Sequence, residues 1–273
     1  MRGIRVIAKK ELRDAVQSRW LVAFAAAFAL VAFAISNLHG AGGSLSDQGF
    51  NRTTAAMISL CMLLVPLLSL ALGAASIAGE RERGTLATLL AQPITPAELL
   101  IGKYVGLTIA VWLAIALGFG SGGLLIALVN PMTDVGHYLV FMALAGGLAS
   151  ATLSVGILIS VVSETRLKAL SLAILAWFGF VFAYDLGAIA VILSISSSGE
   201  TLLAAILGNP VENVRVLAIM SLEPDMEVLG PFGSYMADRF GVAVSALVLL
   251  GALAAWTLGP LVAATTLFAG EDA

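Results

Sequence analysis

Long apolar runs without a charged residue alternate with short polar segments along this chain. Five continuous runs cover residues 20–38, 53–79, 104–133, 136–163 and 241–270. A further run over residues 169–184 is interrupted by Asp185 and resumes to residue 195. Because about 20 apolar residues suffice for a helix to cross a bilayer, the pattern predicts six transmembrane helices.

The runs are continuous and do not alternate between apolar and polar at every second residue, which favours helices over strands. Hydrophobic residues make up 60% of the 273 residues and charged residues only 11%, which excludes a water-soluble globular domain. The fold class predicted is therefore an all-α membrane protein. Its six-span domain covers residues 20–268, with an outer segment over residues 196–239.

Residues 1–19 precede the first apolar run and combine cations with a single apolar stripe. The stripe consists of Ile4, Ile7, Ala8, Leu12, Ala15, Val16 and Trp20. This pattern predicts an amphipathic helix in the cytoplasmic headgroup layer, in contact with membrane lipid. Simple anchoring by its positive charges is the alternative interpretation.

The distribution of Lys and Arg predicts the orientation. Eleven of the fourteen fall on one side: Arg2, Arg5, Lys9, Lys10, Arg13, Arg19, Arg81, Arg83, Lys103, Arg166 and Lys168. Because cytoplasmic loops carry an excess of Lys and Arg, that side is predicted to be cytoplasmic, and both termini with it.

The segment over residues 80–103, ERERGTLATLLAQPITPAELLIGK, is a polar island between spans two and three. Gly84 allows a turn, Thr85 can cap a short helix, and Pro93 ends it, so a helix is predicted over about residues 84–92. Its apolar positions are three and four residues apart and form a ridge: Leu86, Leu89 and Leu90.

Two tetrapeptides predict further helix starts. TPAE at residues 95–98 reads as a capping box with proline at the first helical position. NPVE at residues 209–212 has the same form, with asparagine as the cap. The second helix is predicted to continue to about Leu222 and to lie on, or dip into, the outer surface.

The island closely resembles the signature of the ABC-2 type permeases, the membrane subunits of ATP-binding cassette transporters, and the resemblance extends to KKELRDAVQSRW near the N-terminus. It implies that the short helix is a coupling helix, which sits in a groove of a separate ATPase subunit. The residues to which this role is assigned are Glu80, Glu82, Arg83, Gly84, Thr85, Leu86, Leu89, Leu90 and Pro93.

The same resemblance implies the assembly and its location. A homodimer with two ATPase subunits is expected in the bacterial inner membrane, and the leucine ridge is expected to dock on the ATPase. ATP and magnesium would be bound by the ATPase, and no cofactor by this chain. A nucleic-acid partner is not expected.

Three pieces of the last third, FAYDLGA, GNPVENVRVLAIMSLEP and LGPFGS, resemble one branch of that family. The branch is associated with maturation of the copper centre of nitrous oxide reductase. This leaves a periplasmic accessory protein as a further partner. Copper, a sulfur species, a lipid and mechanical force on an outer partner all remain open as the cargo or work.

The residues themselves favour a permease over an enzyme. No G-x-x-x-x-G-K-[ST] sequence occurs, so ATP hydrolysis is assigned to another chain. The two histidines, His39 and His137, stand apart, and Cys61 lies within a span. Met220 and Met226, with Met236, could offer thioethers to Cu(I), but their spacing matches no metal motif, so no metal site is predicted.

Asp185 is an ionisable residue in the outer part of the fifth apolar run, where a charge usually faces a polar cavity or a partner. We therefore place Tyr184, Asp185 and Arg215 on a candidate pathway or outer face. The alternative is a structural Asp185 that pairs with Arg215 or Arg239.

Two other function classes remain open at this point. An ion-driven secondary transporter would need several charges within the membrane and inverted repeats, whereas Asp185 is the single candidate charge. A membrane scaffold that moves nothing fits the apolar composition equally well.

Overall fold

The computed structural model describes residues 2–18, 23, 26, 46–129, 135–184, 186, 199–222 and 229–271, and every regular element in these ranges is helical. The helices are α1 (Arg2–Val16), α2 (Ser46–Glu82), α3 (Thr85–Leu90), α4 (Pro96–Val129), α5 (Val135–Val161), α6 (Arg166–Phe178, continued by a π-helical turn over Gly179–Ala183), α7 (Gly199–Leu207), α8 (Pro210–Leu222), α9 (Gly230–Arg239) and α10 (Gly241–Glu271). The predicted first span lies outside the described residues, except for residues 23 and 26.

Five helical stretches are long and apolar enough to cross a membrane: Ser59–Glu82, Pro96–Ser121, Gly136–Val161, Arg166–Ala183 and Gly241–Gly270. They coincide with the predicted spans two to six. The predicted continuation of the fifth span to residue 195 falls mostly on residue 185 and residues 187–195, which lie outside the described part. The pair α7 and α8, bent by 112°, qualifies as one more span if it is counted as a single broken helix.

Among the described helices, α5 is the centre of the bundle, since it is the most buried of the described spans and contacts α2, α4, α8 and α10. It packs backbone against backbone on α2, where glycines face each other. A Cβ atom added to Gly156 would lie 2.7 Å from the Leu70 carbonyl oxygen, and one added to Gly73 would lie 2.7 Å from the Leu153 carbonyl oxygen. Small residues of this kind allow two helix backbones to pack directly together.

A serine hydroxyl joins the same two helices nearer to their C-terminal ends. The Ser160 hydroxyl donates to the Ala74 carbonyl at 2.6 Å. It accepts hydrogen bonds from the backbone N–H groups of Ile77 and Ala78, at 2.9 and 2.8 Å. Because Ala74 and Ala78 are four residues apart, this side chain of α5 joins the backbone hydrogen-bond network of α2.

Both predicted helix starts are confirmed. Helix α4 begins at Pro96, and the Glu98 N–H donates to the Thr95 hydroxyl at 3.2 Å while the Glu98 carboxylate accepts from the Thr95 N–H at 3.4 Å. Helix α8 begins at Pro210, where the Asn209 amide oxygen accepts from the Val211 N–H at 2.9 Å.

Helix α8 dips into the bundle. Its buried apolar residues belong to the largest core cluster: Val211, Val214, Val216, Leu217, Ala218 and Met220. The Asn209 amide nitrogen donates to the Phe180 carbonyl at 2.8 Å, within the π-helical turn. The α7–α8 bend is thus fixed to the end of α6.

Replacing Gly156 with alanine should force α2 and α5 apart, because the new methyl group would meet backbone atoms that cannot rotate away. We expect a loss of about 1–3 kcal/mol, seen as a lower unfolding midpoint in mild detergent. Gly251→Ala in α10 is the matched control, since no atom lies within 4 Å of its added Cβ. Equal midpoints for the two variants would contradict the direct contact.

Candidate functional site: a charged junction around α3

The short helix α3 is six residues long and follows Gly84, whose φ of 71° is the left-handed conformation that glycine adopts most easily. The predicted turn is therefore confirmed. The prediction that Thr85 caps the helix was wrong, since no side chain caps α3 and the Thr85 hydroxyl instead donates to the Glu80 carbonyl at 3.3 Å. The helix ends at Leu90, before the exposed Pro93.

The three leucines do share one face of α3, but that face points into this chain. Leu86, Leu89 and Leu90 are half-buried and pack on a core cluster that includes Ile77, Leu99 and Ile157. The exposed face carries Thr85, Ala87 and Thr88 instead. The ridge therefore anchors α3 to the spans, and the surface open to a partner is the opposite one.

A buried lysine lies beneath this helix. Lys103, near the start of α4, is only 2% exposed, and its ammonium group lies 2.7 Å from Glu11 Oε1 and 2.8 Å from Glu80 Oε1. Glu11 belongs to α1 and Glu80 to the last turn of α2. One ammonium thus joins three helices, and the two carboxylates compensate for its removal from water.

The remaining charges of the ERER segment also make defined contacts. The Arg81 guanidinium donates to the carbonyls of Val161 and Ser163 at 2.9 and 2.6 Å, at the end of α5. The Glu82 carboxylate accepts from the backbone N–H of Arg166 at 2.7 Å, at the start of α6. Arg83 is exposed and makes no ion pair or hydrogen bond through its side chain within the described part of the chain.

Helix α1 packs directly on α4 through two glycines four residues apart. A Cβ added to Gly102 would lie 2.8 Å from the Ile7 Cβ, and one added to Gly106 would lie 2.6 Å from the Ala8 carbonyl oxygen. The predicted stripe of α1 is half-buried or buried from Ile4 to Ala15, whereas Val16 is 45% exposed and Trp20 lies outside the described residues. The headgroup location of α1 stays a prediction.

An open groove of about 290 Å³ lies between α1 and α3. It is lined by Lys10, Glu80, Arg83, Thr85, Thr88 and Leu89. Lys10 lies 3.6 Å from Glu11 and 3.9 Å from Asp14, with 55% of its side chain exposed. The groove is therefore connected to the buried lysine through Glu80, which lines it and lies 2.8 Å from Lys103.

The outer candidates are only partly brought together. Arg215 pairs with Glu212 at 2.7 Å, and Arg239 lies 3.7 Å from Glu200. The Tyr184 hydroxyl lies beside Gly208, 3.2 Å from the position of an added Cβ. Asp185 lies outside the described residues, and its suggested pairing lies there with it.

Cys61, Met220 and Met236 pack in the apolar core. Met220 is 7% exposed and Met236 1%, both within the largest core cluster, which also holds Cys61. The described residues contain no group of three His, Cys, Asp or Glu side chains that could hold a metal ion. Met226 lies outside the described part.

Charge counting along the sequence missed the buried network. Lys103 was counted only as a cytoplasmic cation, and Glu11, Gly102 and Gly106 were not singled out. The spacing GKYVG at residues 102–106, with glycines four apart at a helix start, was the one available signal of a close helix contact.

Comparison with known proteins gives concordant relatives. The profile of the family described as ABC-2 family transporter protein matches residues 5–273. The chain is 34% identical, over 261 residues and 92% of both chains, to a probable ABC transporter permease protein NosY of Stutzerimonas stutzeri. It is 32% identical, over 269 residues and 96% of both chains, to the protein of the same description from Pseudomonas aeruginosa.

Replacing Lys103 with methionine should leave the buried Glu80 and the half-buried Glu11 without their shared cation. We expect a loss of about 3–5 kcal/mol, because breaking a buried ion pair costs far more than losing a surface one. Denaturant unfolding in mild detergent measures it, with Lys168→Met, an exposed lysine, as the control. Adding Glu80→Gln to Lys103→Met should recover part of the loss. A Lys103→Met protein as stable as the control would contradict the network.

Proposed function

Because this chain belongs to the ABC-2 family, as the permease subunit of an ABC transporter, we propose that its ATPase subunit drives it through the exposed face of α3. The family implies the partnership with an ATPase. The contact surface, the assembly and the work done across the membrane are the parts proposed.

The observation that carries the proposal is the inward-facing leucine ridge. Leu86, Leu89 and Leu90 hold α3 against the spans, so a partner that presses on Thr85, Ala87 and Thr88 acts on α2 and α4 together. The leucines were expected to dock on the ATPase, and we propose instead that the opposite face of α3 docks. The packing of the leucines on the spans then transmits the movement of α3.

The charge distribution supports the orientation. Helix α3 lies next to α1, and both belong to the side that carries eleven of the fourteen Lys and Arg residues. We place this side and both termini in the cytoplasm, where ATP is available. The chain is then a multi-pass inner-membrane protein, with ATP and magnesium bound by the ATPase.

The assembly follows from the size of the unit. A single set of five or six spans offers one α3, and two ATPase subunits that close on ATP need two such helices. We therefore propose a homodimer of this chain with two ATPase subunits. Alternating access between an inward-open and an outward-open state is the expected consequence.

Similarity to the NosY permeases over most of the chain supports a role in a related system. We propose that the transporter serves maturation of the copper centre of nitrous oxide reductase, together with a periplasmic accessory protein. The buried Met220 and Met236 are core residues, so the cargo is not assigned to them.

A bulky residue on the exposed face of α3 should prevent docking. We expect Ala87→Trp to reduce the amount of ATPase subunit retained by the affinity-purified permease at least tenfold, because a misfit at an interface core costs a kilocalorie or more. Ala237→Trp in α9, also an exposed alanine, is the control and should retain the ATPase.

ATP hydrolysis by the purified complex provides a second readout and separates a transporter from a scaffold. In a transporter, hydrolysis responds to the cargo, whereas in a scaffold it does not. Failure of the wild-type chain to retain any ATPase subunit would overturn the proposed function.

A further inference from the structure

Arg83 differs from its three neighbours in the ERER segment. Glu80 is held by Lys103, Arg81 by two carbonyls at the end of α5, and Glu82 by the backbone N–H of Arg166. Arg83 alone among the four makes no such contact within the described part of the chain. Glu80, Arg81 and Glu82 thus hold the end of α2 to its neighbouring helices. Arg83 is left available to another molecule.

Arg83 also lines the groove between α1 and α3. Glu80 forms part of the lining, but it is only 5% exposed and its charge is balanced by Lys103 at 2.8 Å. The accessible charges are therefore those of Arg83 and Lys10, both exposed. The Thr88 hydroxyl adds a hydrogen-bond donor on the same lining, whereas the Thr85 hydroxyl already donates to the Glu80 carbonyl at 3.3 Å.

We propose that this groove receives an acidic side chain, Asp or Glu, of the ATPase subunit, held by Arg83 and Lys10. The inference rests on the proposed function and adds the chemistry of the contact to it. Charge-assisted hydrogen bonds from a guanidinium and an ammonium suit a carboxylate, and the Thr88 hydroxyl can donate to one of its remaining lone pairs. A cationic side chain would instead meet Arg83, which has no partner in the described part of the chain, and Lys10, whose ammonium lies 3.6 Å from Glu11 and 3.9 Å from Asp14.

The position of the groove gives the contact a mechanical meaning. Lys10 belongs to α1, whereas Thr85, Thr88 and Leu89 belong to α3. A carboxylate seated between them would be held by both helices. The ATPase would then grip α1 as well as α3, and α1 is itself joined to α4 through Glu11 and Lys103.

Charge reversal tests the proposal in the complete complex of permease and ATPase subunit. We expect Arg83→Glu to weaken retention of the ATPase about tenfold, because a desolvated interfacial charge pair is replaced by repulsion. Raising the salt concentration should weaken the wild-type complex towards the same level. Lys168→Glu, an exposed cation at the start of α6 outside the groove, is the matched control and should retain the ATPase.

The partner residue can be identified directly. Arg83→Lys keeps the positive charge and should keep most of the retention, and its amine can be joined to a touching carboxylate by a carbodiimide. The carbodiimide activates the carboxylate, the amine attacks it, and the urea leaves as the amide bond forms. Peptide mass spectrometry should then show an Asp or Glu of the ATPase linked at position 83 or to Lys10.

The outcomes of these experiments distinguish the groove proposal from the proposed function on which it rests. If Ala87→Trp loses the ATPase but Arg83→Glu binds as well as Lys168→Glu, the groove proposal is overturned and docking through α3 stands. If no ATPase carboxylate is linked, and inorganic phosphate instead binds the permease alone in an Arg83-dependent way, the groove is an anion site and the proposal also fails. A wild-type chain that retains no ATPase overturns the proposed function itself.

Discussion

The arrangement of α1, α2 and α4 around α3 depends on one buried ammonium group. Lys103 is removed from water at the start of α4, and two carboxylates, from Glu11 and Glu80, lie within 2.8 Å of it. An unpaired charge in this position would be too costly to keep, so α1 and the end of α2 must stay where their carboxylates reach it. The network therefore fixes the relative positions of three helices with a single side chain.

Helix α3 is held against α2 and α4 by apolar packing, since its leucines pack on the cluster that contains Ile77 of α2 and Leu99 of α4. Movement can pass onward because α2 is bound tightly to α5. The glycine contact at Gly73 and Gly156 and the Ser160 hydroxyl leave little room for the two helices to slide. Under the proposed function, a push on α3 reaches the centre of the bundle through these contacts between helices.

Features that depend on local chemistry could be predicted from the sequence. Hydropathy located five of the spans, and the pairs Thr95–Glu98 and Asn209–Pro210 located two helix starts, because capping involves residues only a few positions apart. Features that depend on distant partners could not. Lys103 and Glu11 are 92 positions apart, so their contact leaves no local pattern.

The sequence alone also predicts the leucine ridge only in part. Its spacing predicted one apolar face on α3, but the spacing is identical whether that face packs on this chain or on a partner. Only the neighbouring helices decide between the two. The close approach of α1 to Gly102 and Gly106, which brings Glu11 to Lys103, likewise depends on where the rest of the chain lies.

The central claim is that α1, α3 and the ion pairs of Lys103 move as one body. It is tested most directly by measuring the distance between a spin label on α1 and one beside α3, with pulsed electron paramagnetic resonance, in the complex with the ATPase subunit. Labels at Lys9→Cys and Gln92→Cys suit it, since both positions are exposed and the native Cys61 is buried. Dilution with unlabelled chain restricts the signal to one subunit. If α1 and α3 move together, the distance between labels at positions 9 and 92 stays constant when ATP binds. The distance from a label at position 92 to one at Ala237→Cys changes. A change between Lys9 and Gln92 with a constant distance to Ala237 would contradict the account.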